Sequence, residues 1–318
     1  MRKFLIGLTV LAMVLAACGE GGDGATTTAA ETSTTIEATT STAPETTTST
    51  SAPETTTTAP ETTTTSEAPE MEEMDVVAYF ILENIEDPAM GPYLVPVYRG
   101  VPETEGVAAA AVEALLEGPS QDEADGLPSI SSAVPEGSQL LGIVIEDGVA
   151  TVDLSGEFDD GGGTASMAAR LAQLVFTLTR FPTVDGVLLH LDGEAVEVFS
   201  SEGIILDGPQ TREDYLEQIP PIFVDSPAWG EVVESPVTVT GIANVFEATF
   251  QIMLTDDDGE PLYEDFVTAS CGTGCWGDFS VEIPYEIDRE QFGALIEWEN
   301  SAKDGSRQNI REYPIQLR

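Results

Sequence analysis

Apolar positions follow two different periods in the central part of the chain. Continuous apolar runs of strand length alternate with segments in which apolar residues recur three and four positions apart, the period of a helix buried on one side. The strand-like runs are residues 76–82, 93–98, 140–145, 149–154, 187–191 and 195–199, and the helical segments are 107–116, 164–179 and the short 211–219. Asp147-Gly148 and Asp192-Gly193 stand between strand runs and favour tight hairpin turns. This mixture predicts an α+β domain over residues 75–219, rather than a doubly wound parallel sheet.

The pattern changes after Pro220-Pro221, where helical spacing disappears. Short apolar runs separated by Gly, Pro and Asp-Gly pairs fill the remainder of the chain. These runs are residues 232–233, 237–240, 248–254, 266–269, 279–283, 293–298 and 313–317. Short strands at this spacing predict an all-β immunoglobulin-like sandwich over residues 220–318.

Residues 19–74 show neither period. They contain no Lys or Arg, Thr, Ser, Ala, Pro and Glu dominate, and Ala-Pro-Glu recurs four times. A segment with so little apolar surface cannot offset the entropy cost of ordering itself. We therefore expect a disordered Thr/Pro/Glu-rich linker that acts as a tether.

The first eighteen residues have the features of an export signal. Arg2 and Lys3 precede an apolar stretch of about fourteen residues, which is shorter than the roughly twenty that a membrane-spanning helix needs. Leu15-Ala16-Ala17-Cys18 resembles the lipobox of bacterial lipoproteins, which implies cleavage before Cys18 and a lipid on its thiol. An ordinary secretory signal is the alternative. Either way we expect residues 1–18 to direct export, with Cys18 as the lipid-attachment residue.

Charge narrows the range of partners. The chain has 11 basic and 57 acidic residues, a formal net charge of −46. Such a field repels phosphate backbones, so nucleic-acid binding is not expected, and it attracts cations and basic partners. Solubility, or adaptation to a cation-rich envelope, is the simpler explanation.

The other two cysteines, Cys271 and Cys275, form an even pair in an exported chain, which favours a disulfide. Gly272 and Gly274 supply the backbone freedom that so small a ring needs. A metal site is the alternative, although one Cys-x3-Cys without a second pair or a nearby histidine supports it weakly.

Two sets of motifs resemble known families. Val152-Asp153-Leu154-Ser155, residues 173–179 with Phe181-Pro182, and Gly186-Val187 resemble the GerMN domain of sporulation and spore-germination lipoproteins, over about residues 75–207. Ser226-Pro227, Ser235-Pro236-Val237, Gly241, residues 245–248 and residues 301–306 resemble the immunoglobulin-like domain of bacterial spore germination. The resemblance implies an envelope-associated protein without known catalytic residues, and related ring-building folds imply assembly with other envelope proteins.

Candidate catalytic and metal-binding residues are few. The single histidine, His190, lies in a strand-like run, where a structural role is the more common one, and no Ser stands in a Gly-x-Ser-x-Gly elbow. Asp256-Asp257-Asp258-Gly259 resembles part of a calcium loop, but Leu254 stands where the motif needs its first carboxylate. A hairpin turn explains it better. We predict no catalytic residue, no metal site and no cofactor.

The sequence therefore predicts a non-catalytic lipoprotein, held at the cell membrane by its lipid and facing the cell wall. Its expected partners are envelope proteins or cell-wall polymer. Trp229 and Trp276 are candidate interface residues, although a tryptophan in a sandwich is more often part of the core. A peptidoglycan-active hydrolase and an extracytoplasmic regulator of a sensor kinase are the alternatives.

Overall fold

The structure is a computed structural model that describes residues 73–83 and 92–318. The predicted signal peptide with Cys18, and the predicted linker except its last two residues, lie outside the described residues. The first part of the described chain is an α+β region, as the sequence predicts. Its elements are β1 (Glu73–Leu82), β2 (Tyr93–Pro102), α1 (Val107–Glu117), α2 (Gln121–Ala124), β3 (Ile130–Ser131), β4 (Leu140–Glu146), β5 (Val149–Leu154), α3 (Thr164–Leu178), β6 (Gly186–Leu191), β7 (Glu194–Ala195), β8 (Val198–Phe199) and β9 (Ile204–Ile205).

The strands of this region form sheets in the orders β2-β1-β3, β4-β5-β6-β7 and β8-β9. The hairpin predicted at Asp147-Gly148 is confirmed, since β4 pairs antiparallel with β5. Both turn residues have positive φ, 50° and 82°, which is the geometry that Asp-Gly pairs provide. The helices predicted at 107–116 and 164–179 are confirmed within one or two residues.

The hairpin predicted at Asp192-Gly193 is also confirmed, since β6 pairs antiparallel with β7. The strand expected over 195–199 is wrong in its extent, because β7 ends at Ala195 and Val198–Phe199 pairs with β9 instead. The sequence pattern also missed that β5 and β6 run parallel, with α3 as the crossover between them. The two Asp-Gly turns predicted only antiparallel hairpins. Parallel pairing depends on a crossover connection between the strands, which a local sequence pattern does not predict. The short helix expected over 211–219 is a 3₁₀ turn, Arg212–Gln218, opened by a capping box of Thr211 and Asp214.

The second part of the chain is the predicted β-sandwich. Its strands are β10 (Ile222–Ser226), β11 (Val232–Val233), β12 (Val237–Ala243), β13 (Thr249–Thr255), β14 (Pro261–Thr268), β15 (Gly277–Ile283), β16 (Gln291–Asn300) and β17 (Arg307–Leu317). One sheet has the order β10-β12-β15 and the other β11-β17-β16-β13-β14. Phe250 of one sheet and Phe279 of the other meet edge to face, with ring centroids 4.9 Å apart. The sequence pattern missed β10, which follows directly on Pro220-Pro221.

A carboxyl group lies in the core of this sandwich. Glu297 on β16 stands between Ile252 on β13 and Arg311 on β17, and it is fully buried. Neither of its carboxyl oxygens has a hydrogen-bond partner among the described residues. Burial raises the pKa of Glu297 well above its usual range, and the positive charge of Arg311 opposes this only in part. At a pH between its unfolded and folded pKa values, the group therefore takes up a proton when the chain folds.

We predict that Glu297→Gln stabilises the fold, and more so as pH rises. A carboxyl with a raised folded pKa contributes stability below its unfolded pKa of about 4.3, and this contribution is lost as pH rises towards the folded value. The neutral amide avoids that loss, so the free energy of unfolding at pH 8 should increase by about 1 kcal/mol or more. Urea denaturation of the variant and of wild type at pH 4.5 and pH 8 measures it. The exposed Glu264→Gln is the control, and an equal gain at both pH values contradicts the prediction.

None of the helices in residues 73–83 and 92–318 combines the length and the apolar character that crossing a bilayer requires.

Candidate functional site

The α+β region and the sandwich share one hydrophobic core. All the described residues belong to a single compact unit. Phe223 on β10 packs against Phe176 on α3 and Tyr79 on β1, with ring centroids 5.6 Å and 6.3 Å apart. The three side chains are at most 1% exposed. We call this contact between the two parts of the chain the seam.

A charged cluster closes the seam beside these rings. The Asp225 carboxylate of the sandwich lies 3.1 Å from Nη1 of Arg212 and 3.5 Å from Nη1 of Arg180. The Tyr79 hydroxyl donates a hydrogen bond to Oδ1 of Asp225, and Nη2 of Arg212 donates to the same hydroxyl at 3.2 Å. The guanidinium of Arg212 also stacks on the Phe176 ring, 4.7 Å from its centroid. We call Tyr79, Arg180, Arg212 and Asp225 the seam cluster.

The protonation state of Tyr79 fits a structural role for the cluster. Burial, together with the negative charge of Asp225, raises the pKa of the Tyr79 phenol above its usual range. The hydroxyl therefore keeps its proton and remains a donor to Asp225 at physiological pH. The cluster therefore joins the two parts of the chain through this hydrogen bond and through the ion pairs of Asp225 with Arg180 and Arg212.

Main-chain hydrogen bonds reinforce the seam at the edge of β2. The Trp229 N–H donates to the Pro96 carbonyl at 2.8 Å, and the Tyr98 N–H donates to the Trp229 carbonyl at 3.0 Å. The next residue, Gly230, donates to the Pro314 carbonyl of β17 at 2.8 Å. The turn around Trp229 thus covers an open sheet edge of the α+β region, and Trp229 itself is half-buried there.

We predict that Asp225→Ala weakens the seam. The change leaves two guanidinium groups and the Tyr79 hydroxyl without their common acceptor, while Arg180 and Arg212 stay about three-quarters buried. Because the pairs are only partly buried, we expect a loss of about 2 kcal/mol rather than the larger cost of a fully buried pair. Chemical denaturation measures it. Asp257→Ala removes an exposed ion pair with Arg289 and should change stability by less than about 0.5 kcal/mol, so equal losses contradict the prediction.

A groove of about 930 Å³ opens beside the seam cluster. One wall is the turn after residue 211, and the other consists of residues from strands β10, β12 and β15 together with Trp276. The lining residues are Arg212, Glu213, Leu216, Phe223, Asp225, Thr240, Gly241, Ile242, Trp276, Asp278 and Phe279. Its surface combines aromatic and aliphatic side chains with three carboxylates, while its one arginine is already paired with Asp225. We call this the seam groove.

The small ring at 271–275 positions one side of the groove. Cys271 and Cys275 are joined by a disulfide, with Cα atoms 5.9 Å apart. The Thr273 N–H donates to the Val245 carbonyl at 2.9 Å, and the Gly274 N–H donates to Oδ1 of Asn244 at 2.9 Å. The ring is therefore fixed to the loop before β13, and the half-buried Trp276 follows it directly into the groove.

The residues considered in the sequence for catalysis or metal binding, His190 and the acidic segment at Asp256, lie on different elements of the structure. His190 is half-buried on β6 and makes no side-chain hydrogen bond to another described residue. Asp256 accepts the N–H groups of Asp258 and Glu260, at 3.0 Å and 2.8 Å, so this segment is the hairpin turn that the sequence favoured. Over the described part of the chain, no group of three or more His, Cys, Asp or Glu residues is arranged to hold a metal ion.

Comparison with known families matches both parts of the chain. The family described as Germane, sporulation and spore germination, matches residues 77–197. The family described as Gmad2, the immunoglobulin-like domain of bacterial spore germination, matches residues 221–306. A comparison with curated proteins finds no match.

Two of the solved structures with similarity come from the sporulation protein GerM of Bacillus subtilis. Its first GerMN domain is 21% identical, with 44% of this chain and 99% of that chain covered and a TM-score of 0.37. Its tandem GerMN domains are 18% identical, with 67% of this chain and 62% of that chain covered and a TM-score of 0.39. On the two family matches, this chain carries a GerMN-type domain of the sporulation and spore germination family, followed by an immunoglobulin-like domain of bacterial spore germination.

Proposed function

We propose that this chain is a non-catalytic lipoprotein, anchored outside the cytosol through Cys18, that binds or assembles with partners of the cell envelope. The partners are envelope proteins or cell-wall polymer. The observation that carries the proposal is the seam, where a GerMN-type domain and an immunoglobulin-like domain are locked together and present one groove between them. A rigid groove loses little conformational entropy on binding, which favours recognition.

The groove has the chemistry of a binding surface. Half-buried Trp276 and the neighbouring apolar side chains offer contact area, and aromatic residues contribute strongly to binding energy at interfaces. Glu213 and Asp278 add negative charge at the rim, in a chain whose net charge is −46. These features favour partners with basic and apolar groups over anionic ones.

Two observations support the proposal that this chain is non-catalytic. Neither matching family is described by a reaction. The chain has one histidine, and His190 on β6 is not hydrogen-bonded to a nucleophile or a carboxylate among the described residues.

The proposals that the chain is exported and anchored to the membrane are based on its sequence. Cys18 follows a short apolar run and small residues, as in lipobox sequences, and residues 19–74 have the composition of a tether. We expect Cys18→Ser to move the chain from the membrane fraction to the soluble fraction outside the cytosol. Retention of the variant in the membrane fraction contradicts the proposed anchor.

Site-specific photo-crosslinking in living cells tests the binding function. A photoreactive amino acid replaces Trp276 in the groove, and in a matched strain it replaces Phe292, an aromatic residue that is 71% exposed on β16. We expect discrete adducts with an envelope protein or glycan from position 276, and few from position 292. Equal labelling at both positions, or adducts only with cytosolic proteins, overturns the proposal. If the purified chain releases soluble fragments from peptidoglycan, the proposal that the chain is non-catalytic is overturned.

A further inference from the structure

Strand β4 is an outer strand with an apolar sequence. It forms one edge of the β4-β5-β6-β7 sheet and pairs with β5 along one side. Within the described chain, its other side makes no main-chain hydrogen bond. Leu141, Val144 and Ile145 are 51%, 56% and 39% exposed, although none of them carries a polar group.

The inner face of the sheet is the face on which the side chains of β5 are buried. On this face the row of apolar side chains continues onto β4, where it is only partly buried. Ile143 and Ile145 lie opposite Val152 and Ala150 of β5, and both of those β5 residues are fully buried. The same row on β4 is partly exposed. One further strand alongside β4 would continue the row and remove this apolar surface from water.

Three other outer strands of the described chain are protected in ways that β4 is not. The turn around Trp229 covers the edge of β2, and β7 is only two residues long. Strand β14 begins at a proline and carries Glu264 and Asp265. Short length, proline, charge and β-bulges are the usual means by which proteins prevent pairing at sheet edges. In β4, a register irregularity at Leu141 leaves a regular run from Gly142 to Glu146 whose only charge is at its end.

We propose that β4 is a docking edge for an extended segment of a basic partner protein, which adds to the sheet as a further strand. The apolar side chains of the segment lie on the inner face, beside Ile143 and Ile145, and its lysine or arginine residues lie near Glu146 and Asp147. Charge selects this partner over a second copy of the chain, because pairing two copies brings together two bodies of net charge −46. This edge is separate from the seam groove, so an experiment can reject docking at β4 without rejecting binding in the groove, and the reverse.

Synthetic peptides test the docking edge directly. One peptide alternates valine and threonine between flanking lysines, and its counterpart has glutamates in place of the lysines. Each is titrated into the full chain at low salt and followed by fluorescence anisotropy, and amide hydrogen exchange locates the site. We expect the lysine peptide to protect the amides of β4 and to bind about tenfold more tightly than the glutamate peptide. The difference should shrink as salt is added.

Two variants distinguish docking at β4 from general attraction to an acidic protein. Ile145→Lys places a charge on the inner face at the edge and should weaken the lysine peptide about tenfold or more. Val198→Lys makes the same change of charge at an exposed apolar residue on β8 and should leave affinity nearly unchanged. Equal losses in both variants, or no protection of β4 amides, overturn the proposal. Protection of these amides that grows with chain concentration in the absence of peptide identifies a second copy and also overturns it.

Discussion

Replacing Phe223 with alanine is expected to destabilise the chain by about 3–5 kcal/mol, the usual cost of deleting a buried aromatic ring. The ring is 1% exposed and packs between Phe176 and Tyr79. Its loss leaves a cavity at the point where the two parts of the chain share their core. The variant should therefore also lose cooperativity, because each part must then rely on its own packing.

Equilibrium urea denaturation of the Phe223→Ala variant measures both effects. Its unfolding curve should shift to lower urea and broaden, or separate into two steps. Phe292→Ala deletes the same ring from a site that is 71% exposed and should change stability by less than about 0.5 kcal/mol. A Phe223 variant as stable and as cooperative as the Phe292 variant contradicts a shared core.

Gly241→Ala is expected to cost about 3 kcal/mol, although it adds only one methyl group. A Cβ at Gly241 would overlap the carbonyl oxygen of Phe223 and lie 2.8 Å from Cζ of Phe279. The carbonyl belongs to the neighbouring strand β10, so it cannot move aside as the end of a flexible side chain could. Forcing such a contact shifts the backbone that positions Phe223 in the seam.

Gly142→Ala is the matched control for this substitution. Gly142 also lies in a strand, and a Cβ there meets nothing within 4 Å. The control should be neutral or slightly stabilising, because alanine restricts the unfolded chain more than glycine does. Thermal unfolding of both variants checks the comparison, and similar midpoints would show that the close approach at Gly241 is not a constraint.

Elements with strong local signals could be predicted from the sequence. Helix α3 followed from apolar residues at helical spacing and ended before Phe181-Pro182, and the β4–β5 hairpin followed from Asp147-Gly148. The sandwich followed from short apolar runs with turn residues between them. Each of these features depends on neighbours within a few positions, which a sequence pattern records.

The seam could not be predicted in the same way. Tyr79 and Asp225 form a hydrogen bond across 146 positions of sequence, and each stands in an ordinary strand-like context. Arg180 and Arg212 have no distinguishing neighbours either. Only the rarity of basic residues, 11 in the whole chain, could have drawn attention to two arginines near the ends of helical segments. Trp276 was a candidate for an interface or a core, and the structure places it half-buried at the seam groove.

Differential scanning calorimetry of the wild-type chain shows whether the GerMN-type and immunoglobulin-like domains unfold as one cooperative unit through the seam. A shared core gives a single endotherm whose calorimetric and van't Hoff enthalpies agree. Two resolved transitions, or a van't Hoff enthalpy well below the calorimetric one, would show that the domains unfold separately.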